Sequence, residues 1–261
     1  MGDGPRTLIL DIENSPILAL VWKTWKENVS MDQIKKDWFM LSWAAKWRGD
    51  DYVYSDSLFN YRSHFNSNPD DDSKILLTLN DFLEEADIVI GHNSMKFDLP
   101  KIRSRMIGSG MKPFSPVQQV DTLRIAKRQF RFTSNSLAFI AKALGLGEKL
   151  DTGGFILWPE CMRGVPAAWD KMVEYNEHDV VLTEQVYEML APWSTTHPNY
   201  GLYTDADCPV CVVCGSREIR REGFAYTNLG KFQRYQCKSC GKFMRARQNV
   251  AKRDSLLTSV M

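Results

Sequence analysis

The apolar run Thr7-Leu8-Ile9-Leu10-Asp11-Ile12 ends in acid, and Glu13 follows two residues after Asp11. Such a run suits a central strand, and side chains two apart in a strand share a face. Asp11 and Glu13 therefore set two like charges on one side of the backbone. That crowding is costly without a cation. Divalent magnesium or manganese prefers hard carboxylate oxygens, so the repulsion that would destabilise an empty site becomes a means of holding metal.

Two further stretches carry similar chemistry. Asn93-Ser94-Met95-Lys96-Phe97-Asp98 follows a strand pattern at Asp87-Ile88-Val89-Ile90-Gly91, which puts Asp98 close to the start of the next helix, where a carboxylate complements the helix dipole. Tyr175-Asn176-Glu177-His178-Asp179 lies in a helical pattern over residues 166–190. Residues four apart in a helix stand one above the other, so Tyr175 and Asp179 point from one face.

The rest of the first 190 residues reads as mixed α/β. Residues 38–47 and 51–58 are β-rich around the hairpin signal Arg48-Gly49-Asp50. Residues 74–86 have helical spacing, Pro100 to Met106 is helical, Val117 to Asp121 is a strand, and Ser136 to Leu144 is a helix before the Gly145-x-Gly147 break. These outline an antiparallel ribbon extended by a βαβ unit. The charged, tryptophan-bearing segment from Ser15 to Asp37 has no clear period. Residues 193–207, rich in Pro, Gly, Ser, Thr and Asn, read as a linker.

Composition is that of a globular protein, 44% apolar and 25% charged, and no apolar stretch is long enough to span a membrane. The opening residues lack a signal-peptide apolar run, so the expected setting is intracellular, in the cytoplasm. The formal charge of +1 hides an asymmetry: residues 208–253 hold eleven Lys/Arg against two Glu, while residues 1–207 hold 22 Lys/Arg against 29 acidic residues. A basic module beside an acidic body suits a polyanionic substrate.

Taken singly, each acidic motif has an ordinary explanation: strand-end solubility, a helix cap, an amphipathic helix. Together, Asp-x-Glu, Asn-x-x-x-Phe-Asp and Tyr-x-x-x-Asp, in this order, resemble the DEDD 3′–5′ exonuclease superfamily of the ribonuclease H-like fold, in its tyrosine-containing branch (DEDDy). The wider text, Asp11-Ile12-Glu13-Asn14-Ser15-Pro16, Gly91-His92-Asn93, Val120-Asp121-Thr122 and Tyr175-Asn176-x-x-Asp179-Val180, is similar to stand-alone exonucleases, often phage-encoded, related to the proofreading domain of family B polymerases. The histidine branch would need His at position 174, where this chain has Glu174.

The resemblance implies a ribonuclease H-like mixed sheet flanked by helices over residues 1–192, binding two Mg2+ or Mn2+ ions. Asp11 would bridge the ions, Glu13 and Asp179 would complete the site for the attacking water, Asp98 would hold the second ion through water, and Tyr175 would orient the nucleophile. An unassisted tyrosine, with a pKa of about 10, is a poor base at neutral pH, so positioning comes before proton acceptance. Asn93 is a candidate substrate contact, though an Asn after Gly91-His92 more often fixes a turn. Asp121 stands between supporting the site and capping a helix.

Residues 208–261 form the basic module. Cys208-x-x-Cys211-x-x-Cys214, then Cys237-x-x-Cys240, has the spacing of a zinc ribbon, whose thiolates close one tetrahedral structural Zn2+ site. Gly215 and Gly241 directly follow Cys214 and Cys240, which favours Cys211, Cys214, Cys237 and Cys240, with Cys208 and Cys211 as the competing first pair. The stretch is similar to ribbons at the ends of transposases, a likeness that implies DNA contact.

Arg217, Arg221, Lys231, Arg234, Lys242 and Arg245 are candidate nucleic-acid contacts. They alternate with Phe224, Tyr226, Phe232, Tyr235 and Phe243, of which at least half are expected in the ribbon's small core. The expected function is phosphodiester hydrolysis at single-stranded 3′ ends of DNA. RNA as substrate, and a binding or recruitment role on an exonuclease scaffold, remain open. A polymerase or another replication or recombination protein is the expected partner, since proofreading would require one.

Overall fold

A computed structural model describes residues 4–25 and 28–251; the opening Met1–Asp3 and the end of the basic tail from Lys252 lie outside the described residues. In chain order the first part comprises β1 (Thr7–Asn14), β2 (Leu18–Ala19), β3 (Ile34–Lys36), β4 (Met40–Trp47), β5 (Tyr54–Ser57), α1 (Arg62–Ser67), α2 (Ser73–Glu85), β6 (Ile88–Gly91), α3 (Asp98–Gly108), β7 (Gln118–Asp121), α4 (Thr122–Gln129), α5 (Leu137–Ala143), α6 (Leu157–Met162) and α7 (Pro166–Leu190). The second part contributes β8 (Ile219–Thr227), β9 (Gly230–Cys237) and β10 (Phe243–Asn249). Arg6–Tyr187 forms one compact unit, and the chain from Glu188 onward a second.

In the first unit the sheet order is β5-β4-β1-β6-β7. β4 and β5 form the antiparallel ribbon, while β1, β6 and β7 run parallel with α2 and α3 between them in sequence. The α/β expectation and its mixed sheet are thus met. β1 is central, and its first half, Thr7 to Leu10, is buried on both faces. Leu8, Leu10 and Ile12 enter the main apolar cluster with Leu41, Trp43 and Ala45 of β4, Ile75 and Leu79 of α2, and Leu99 and Ile102 of α3. Full burial of each such side chain contributes about 1.5–3 kcal/mol.

The other face of the ribbon accepts α7. Ser42 and Lys46, two positions either side of Ala44, meet Asn176 and Glu184: Ser42 Oγ donates to Asn176 Oδ1 at 3.0 Å, and Lys46 Nζ pairs with Glu184. Small residues at 42 and 44, opposite Glu13 and Asp11, leave room for the acids beneath the helix. Farther along α7, Trp169 stacks on Phe59 with ring planes 5° apart and meets Phe65 edge-on.

Helix α3 starts at Asp98, earlier than the expected Pro100, and the helix that Asp121 was expected to cap is α4, whose extent no sequence pattern marked. The Ser15–Asp37 segment forms a short two-stranded arm, β2 with β3. The expected linker carries 3-10 turns at Ala191–Trp193 and Tyr200–Leu202. Tyr200 is buried, its N–H donates to Val212 O at 3.0 Å, and Lys242 Nζ donates to Ser194 O. This stretch packs on the cysteine module.

One buried ion pair ties the first unit together. Asp72, fully enclosed, accepts from Arg105 Nε at 2.6 Å and Nη2 at 2.9 Å, and from the Met40 N–H at 2.8 Å. Removing one partner of such a pair strands the other. Asp72→Ala is expected to destabilise the protein by about 3–5 kcal/mol, read from urea unfolding, and a loss below 1 kcal/mol would contradict this account.

Candidate active site

The acids gather where β1 outruns its parallel neighbour. β6 pairs with β1 only through Thr7↔Ile88, Leu8↔Val89 and Ile9↔Ile90, so the Ile12 N–H has no strand on that side. The Asp98 carboxylate accepts that N–H at 3.2 Å and is itself buried. Asp11 and Glu13 lie on the opposite face from Ile12, and a register shift follows at Glu13/Asn14. Asp179, from α7, completes the group: carboxylate oxygens of Asp11, Glu13 and Asp179 lie within 4.8 Å of one another. Asp98 stands beside this trio and raises the pKa of Asp11 through its charge. Tyr175 is one turn before Asp179, 7% exposed.

Burial, then the charges of Asp98, Glu13 and Asp179, hold the Asp11 carboxyl well above the usual carboxylate range. Burial pushes Glu13 up to about 7, against the opposing pull of the Trp158 N–H, and it lifts Asp98 to about 7 against backbone hydrogen bonds. Asp179 is raised by burial and relieved in part by Lys149. Burial and the Asp179 charge raise Tyr175 further above its ordinary 10, so the phenol keeps its proton at neutral pH.

Three residues beyond the predicted set hold these acids. Lys149 Nζ lies 2.6 Å from Asp179 Oδ2 and 4.5 Å from the centre of the Tyr175 ring. Burial opposes its charge, but the Asp179 carboxylate outweighs burial and raises the ammonium's pKa. Asn176 Nδ2 donates to Asp11 Oδ2 at 2.7 Å, and Trp158 Nε1 donates to Glu13 Oε2 at 3.1 Å while its ring meets Tyr175 edge-on. Asn176 was visible as the residue after Tyr175. Lys149, in a glycine-punctuated loop, and Trp158, 145 residues from Glu13, left no local signal.

Charge and donor chemistry both fit hard divalent cations. Four carboxylates, Asp98 and Asp179 buried and Asp11 and Glu13 partly so, face the ammonium groups of Lys149 and Lys101, and Asp179 Oδ1 is buried without a hydrogen-bond partner. Oxygen-only donors of this kind suit Mg2+ or Mn2+.

The loop before Asp98 is shaped for close approach. A Cβ at Gly91 would fall 2.5 Å from Ser94 Cβ and 3.1 Å from Leu10 O, so only glycine fits. Asn93 takes the left-handed region at φ 70°, and its N–H donates to Asp121 Oδ1 at 3.0 Å. The same Asp121 carboxylate caps α4 by accepting from Arg124 N, which meets the helix-cap expectation for it. His92 joins Thr122 Oγ1 and Asn135 O through its two ring nitrogens, and burial lowers its pKa, which marks it as structural.

In the second unit the thiols of Cys211, Cys214, Cys237 and Cys240 lie within 4.8 Å of one another, with Sγ separations of 3.6 Å for Cys211 and Cys240 and for Cys214 and Cys237. Cys208 is exposed and outside the group. Gly215 (φ 72°) and Gly241 (φ 79°) make the two tight turns expected of them. The thiols are far too distant for disulfides, whose S–S length is about 2.05 Å. They approach the edge of about 3.8 Å that a tetrahedron with Zn–S of about 2.3 Å requires. Burial works against the Cys237 thiolate, but N–H and S–H donors overcome it and bring the thiol down to about 7.

One expectation for this module fails. The aromatics do not form its core: Phe224, Tyr226 and Phe243 are exposed and Phe232 and Tyr235 only half-buried, while Cys211, Val213, Cys237 and Tyr200 are the buried residues. The cations lie over the rings instead, Lys231 Nζ 4.0 Å above Phe224 and Arg245 4.0 Å above Phe232. Arg234 Nε donates to Glu222 O at 2.7 Å, so this guanidinium serves the module's own backbone, while the Lys242 ammonium donates to Ser194 O in the preceding stretch. Arg217 and Arg221 are exposed.

Sheet order and acid cluster together define a ribonuclease H-like fold with an acidic centre. A family model described as RNase_H superfamily (RNase_H_2) matches residues 48–191, more than half of the chain, and the chain belongs to this family. The match begins after β1, so Asp11 and Glu13 lie outside it. No curated protein matches the chain. Among solved structures, the chain is similar to the family B DNA polymerase from the hyperthermophilic archaeon Pyrobaculum calidifontis, with a TM-score of 0.52 and 19% identity over 72% of this chain and 25% of that one. The chain thus spans about a quarter of that polymerase's length, and the likeness is one of fold.

The raised carboxyls predict a pH effect. Glu13 and Asp98 titrate near about 7 when folded, against ordinary values of 4.5 and 3.8. Between those limits the folded state holds protons that the unfolded chain has released. Their stabilising contribution is therefore full at low pH and lost as pH rises toward 7. Without added Mg2+ or Mn2+, the Tm is expected to fall across that window in calorimetry, and Glu13→Gln with Asp98→Asn should flatten the fall. An equally steep decline in the double variant would refute the assignment.

Proposed function

We propose that the chain is a metal-dependent 3′–5′ exonuclease that hydrolyses phosphodiester bonds of DNA at single-stranded 3′ ends and releases nucleotides. The observation that carries this reading is the convergence of Asp11, Glu13 and Asp179 within 4.8 Å, with Asp98 adjoining and Tyr175 one helical turn away. Polarity and the preference for DNA rest on the resemblance of the three motifs. Proofreading, with a polymerase or another replication or recombination protein as partner, would be one use of this activity.

Asp11, Glu13, Asp98 and Asp179 would hold two Mg2+ or Mn2+ ions, which when bound lower the pKa of a water molecule and stabilise both attacking and departing oxygens. The chain's own residues supply orientation. Asn176 fixes Asp11 from behind and Trp158 fixes Glu13, so both carboxylates meet the substrate in set rotamers. Tyr175, holding its proton, would position the attacking oxygen by hydrogen bonding. Lys149 places a positive charge beside both Tyr175 and Asp179, where negative charge develops.

The cysteine module is read as a zinc ribbon over residues 208–261, with Cys211, Cys214, Cys237 and Cys240 holding one structural Zn2+. It would help to grip nucleic acid through Arg217, Arg221, Lys231 and Arg245, while Asn93 contacts the strand near the acids. Support comes from the four converging thiols and from cations stacked on exposed rings.

Asp11→Asn or Asp179→Asn is expected to lower nucleotide release by at least about a thousandfold, in keeping with the weight of metal-assisted steps, while leaving the fold intact. End-labelled single- and double-stranded DNA and RNA, each with and without Mg2+ or Mn2+, would read this directly. Turnover unchanged in either variant contradicts the assignment. For the ribbon, Lys231→Ala with Arg245→Ala should weaken DNA binding and make the plot of log affinity against log salt shallower by about 0.7 per lost phosphate contact. An unaltered slope would remove these two residues from the interface.

A further inference from the structure

We propose that the β2–β3 arm, through Trp22 and Trp25, and the Trp38–Lys101 pair at its root form a stacking track for single-stranded nucleic acid leading away from the acid cluster. This deepens the nuclease reading and rests on it.

The arm grows out of the acid-bearing strand itself. Directly after β1, the Ser15 N–H donates to Phe39 O at 2.9 Å and the Phe39 N–H donates to Ser15 Oγ at 2.9 Å, which clamps the root of the arm two residues beyond Glu13. β2 and β3 then pair as Leu18↔Lys36 and Ala19↔Ile34. Beyond β2, Trp22 is 93% exposed and Trp25 76% exposed. Indole rings so open to water are unusual for a folded body, and exposed apolar surface of this size marks a contact site.

Charge distinguishes the occupant. The body as a whole is acidic, with 29 Asp/Glu against 22 Lys/Arg over residues 1–207, while the described residues of the arm carry Lys23, Lys35 and Lys36 against Asp32 and Asp37, with Lys36 Nζ 3.3 Å from Asp70 Oδ2. Lys23 lies between the two tryptophans in sequence. At the root the same alternation continues: Lys101 Nζ stands 3.5 Å over the Trp38 ring and 5.0 Å from the Phe97 ring, and Phe97, 42% exposed, directly precedes Asp98. Exposed rings for bases, with ammonium groups beside them for phosphates, are the chemistry of single-strand recognition. A purely apolar protein partner would gain nothing from the lysines.

Binding and turnover can be separated. A fluorescent oligothymidylate of about twelve nucleotides, titrated in Ca2+ to prevent cleavage and followed by anisotropy, measures the track without requiring hydrolysis. Trp22→Ala with Trp25→Ala is expected to raise Kd by roughly fivefold or more per ring. Trp22→Phe with Trp25→Phe, which keeps a stacking face, should stay close to wild type. Hydrolysis of the p-nitrophenyl ester of thymidine 5′-monophosphate in Mn2+, a substrate too short to reach the arm, should be the same in all three.

The proposal is overturned if the alanine pair binds the oligonucleotide as wild type does, in particular if it loses self-association instead, which would make the arm a protein surface. It is also overturned if ester hydrolysis falls in step with binding. Wild-type protein that binds through the tryptophans but cleaves neither substrate would refute the exonuclease reading and leave the track standing.

Discussion

Mutual repulsion among enclosed carboxylates is the constraint around which the first unit is organised. Asp11, Glu13, Asp98 and Asp179 come from strand, loop and helix, and each is met by a partial rather than a full positive charge, Asp179 excepted. A backbone N–H, an indole and an amide orient three of the acids without neutralising them. Full neutralisation by arginines would have produced a stable salt-bridge network with no appetite for a cation. Leaving the charge under-compensated is what keeps the pocket acidic and receptive.

The sheet makes this economical in structure. Parallel pairing between β1 and β6 ends at Ile9, so the last turns of the central strand lie at the open end of the sheet with one side free. Asp98 takes the freed N–H, and α7 covers the remaining face through contacts to Ser42, Lys46 and Asp11. Ligands of open α/β sheets gather outside the carboxyl ends of strands, and this site follows that rule. The second unit is built differently: its three strands show almost no buried side chains, and its buried residues gather around the four clustered thiols and their turns.

Much of this was legible in the sequence where the signal is local. The apolar run into Asp11, the periodicity of α2 and the full extent of α7 follow from patterns within a single element, and the acid motifs needed only strand and helix geometry. What escaped depends on contacts between distant segments. Lys149 reaches Asp179 from a loop with no period, and Trp158 looks from its surroundings like an ordinary helix aromatic. Helix α4 is short and dense in arginine and lysine, with Thr122, Ile125 and Ala126 its buried residues, too few to set a visible stripe. The ribbon's aromatics misled for another reason: rings usually imply a core, but a module closed by four thiols has little need of one.

The Lys149–Asp179 pair has a consequence for how the pocket fills. An ammonium 2.6 Å from one carboxylate oxygen already occupies part of the electrostatic well. A cation held at Asp179 would have to share or displace that tethered charge, which sits on the glycine-punctuated loop 145–154. Were the acids to take up a metal, a divalent ion would outweigh the ammonium there, where sodium or potassium, with one charge each, would hold no advantage over it.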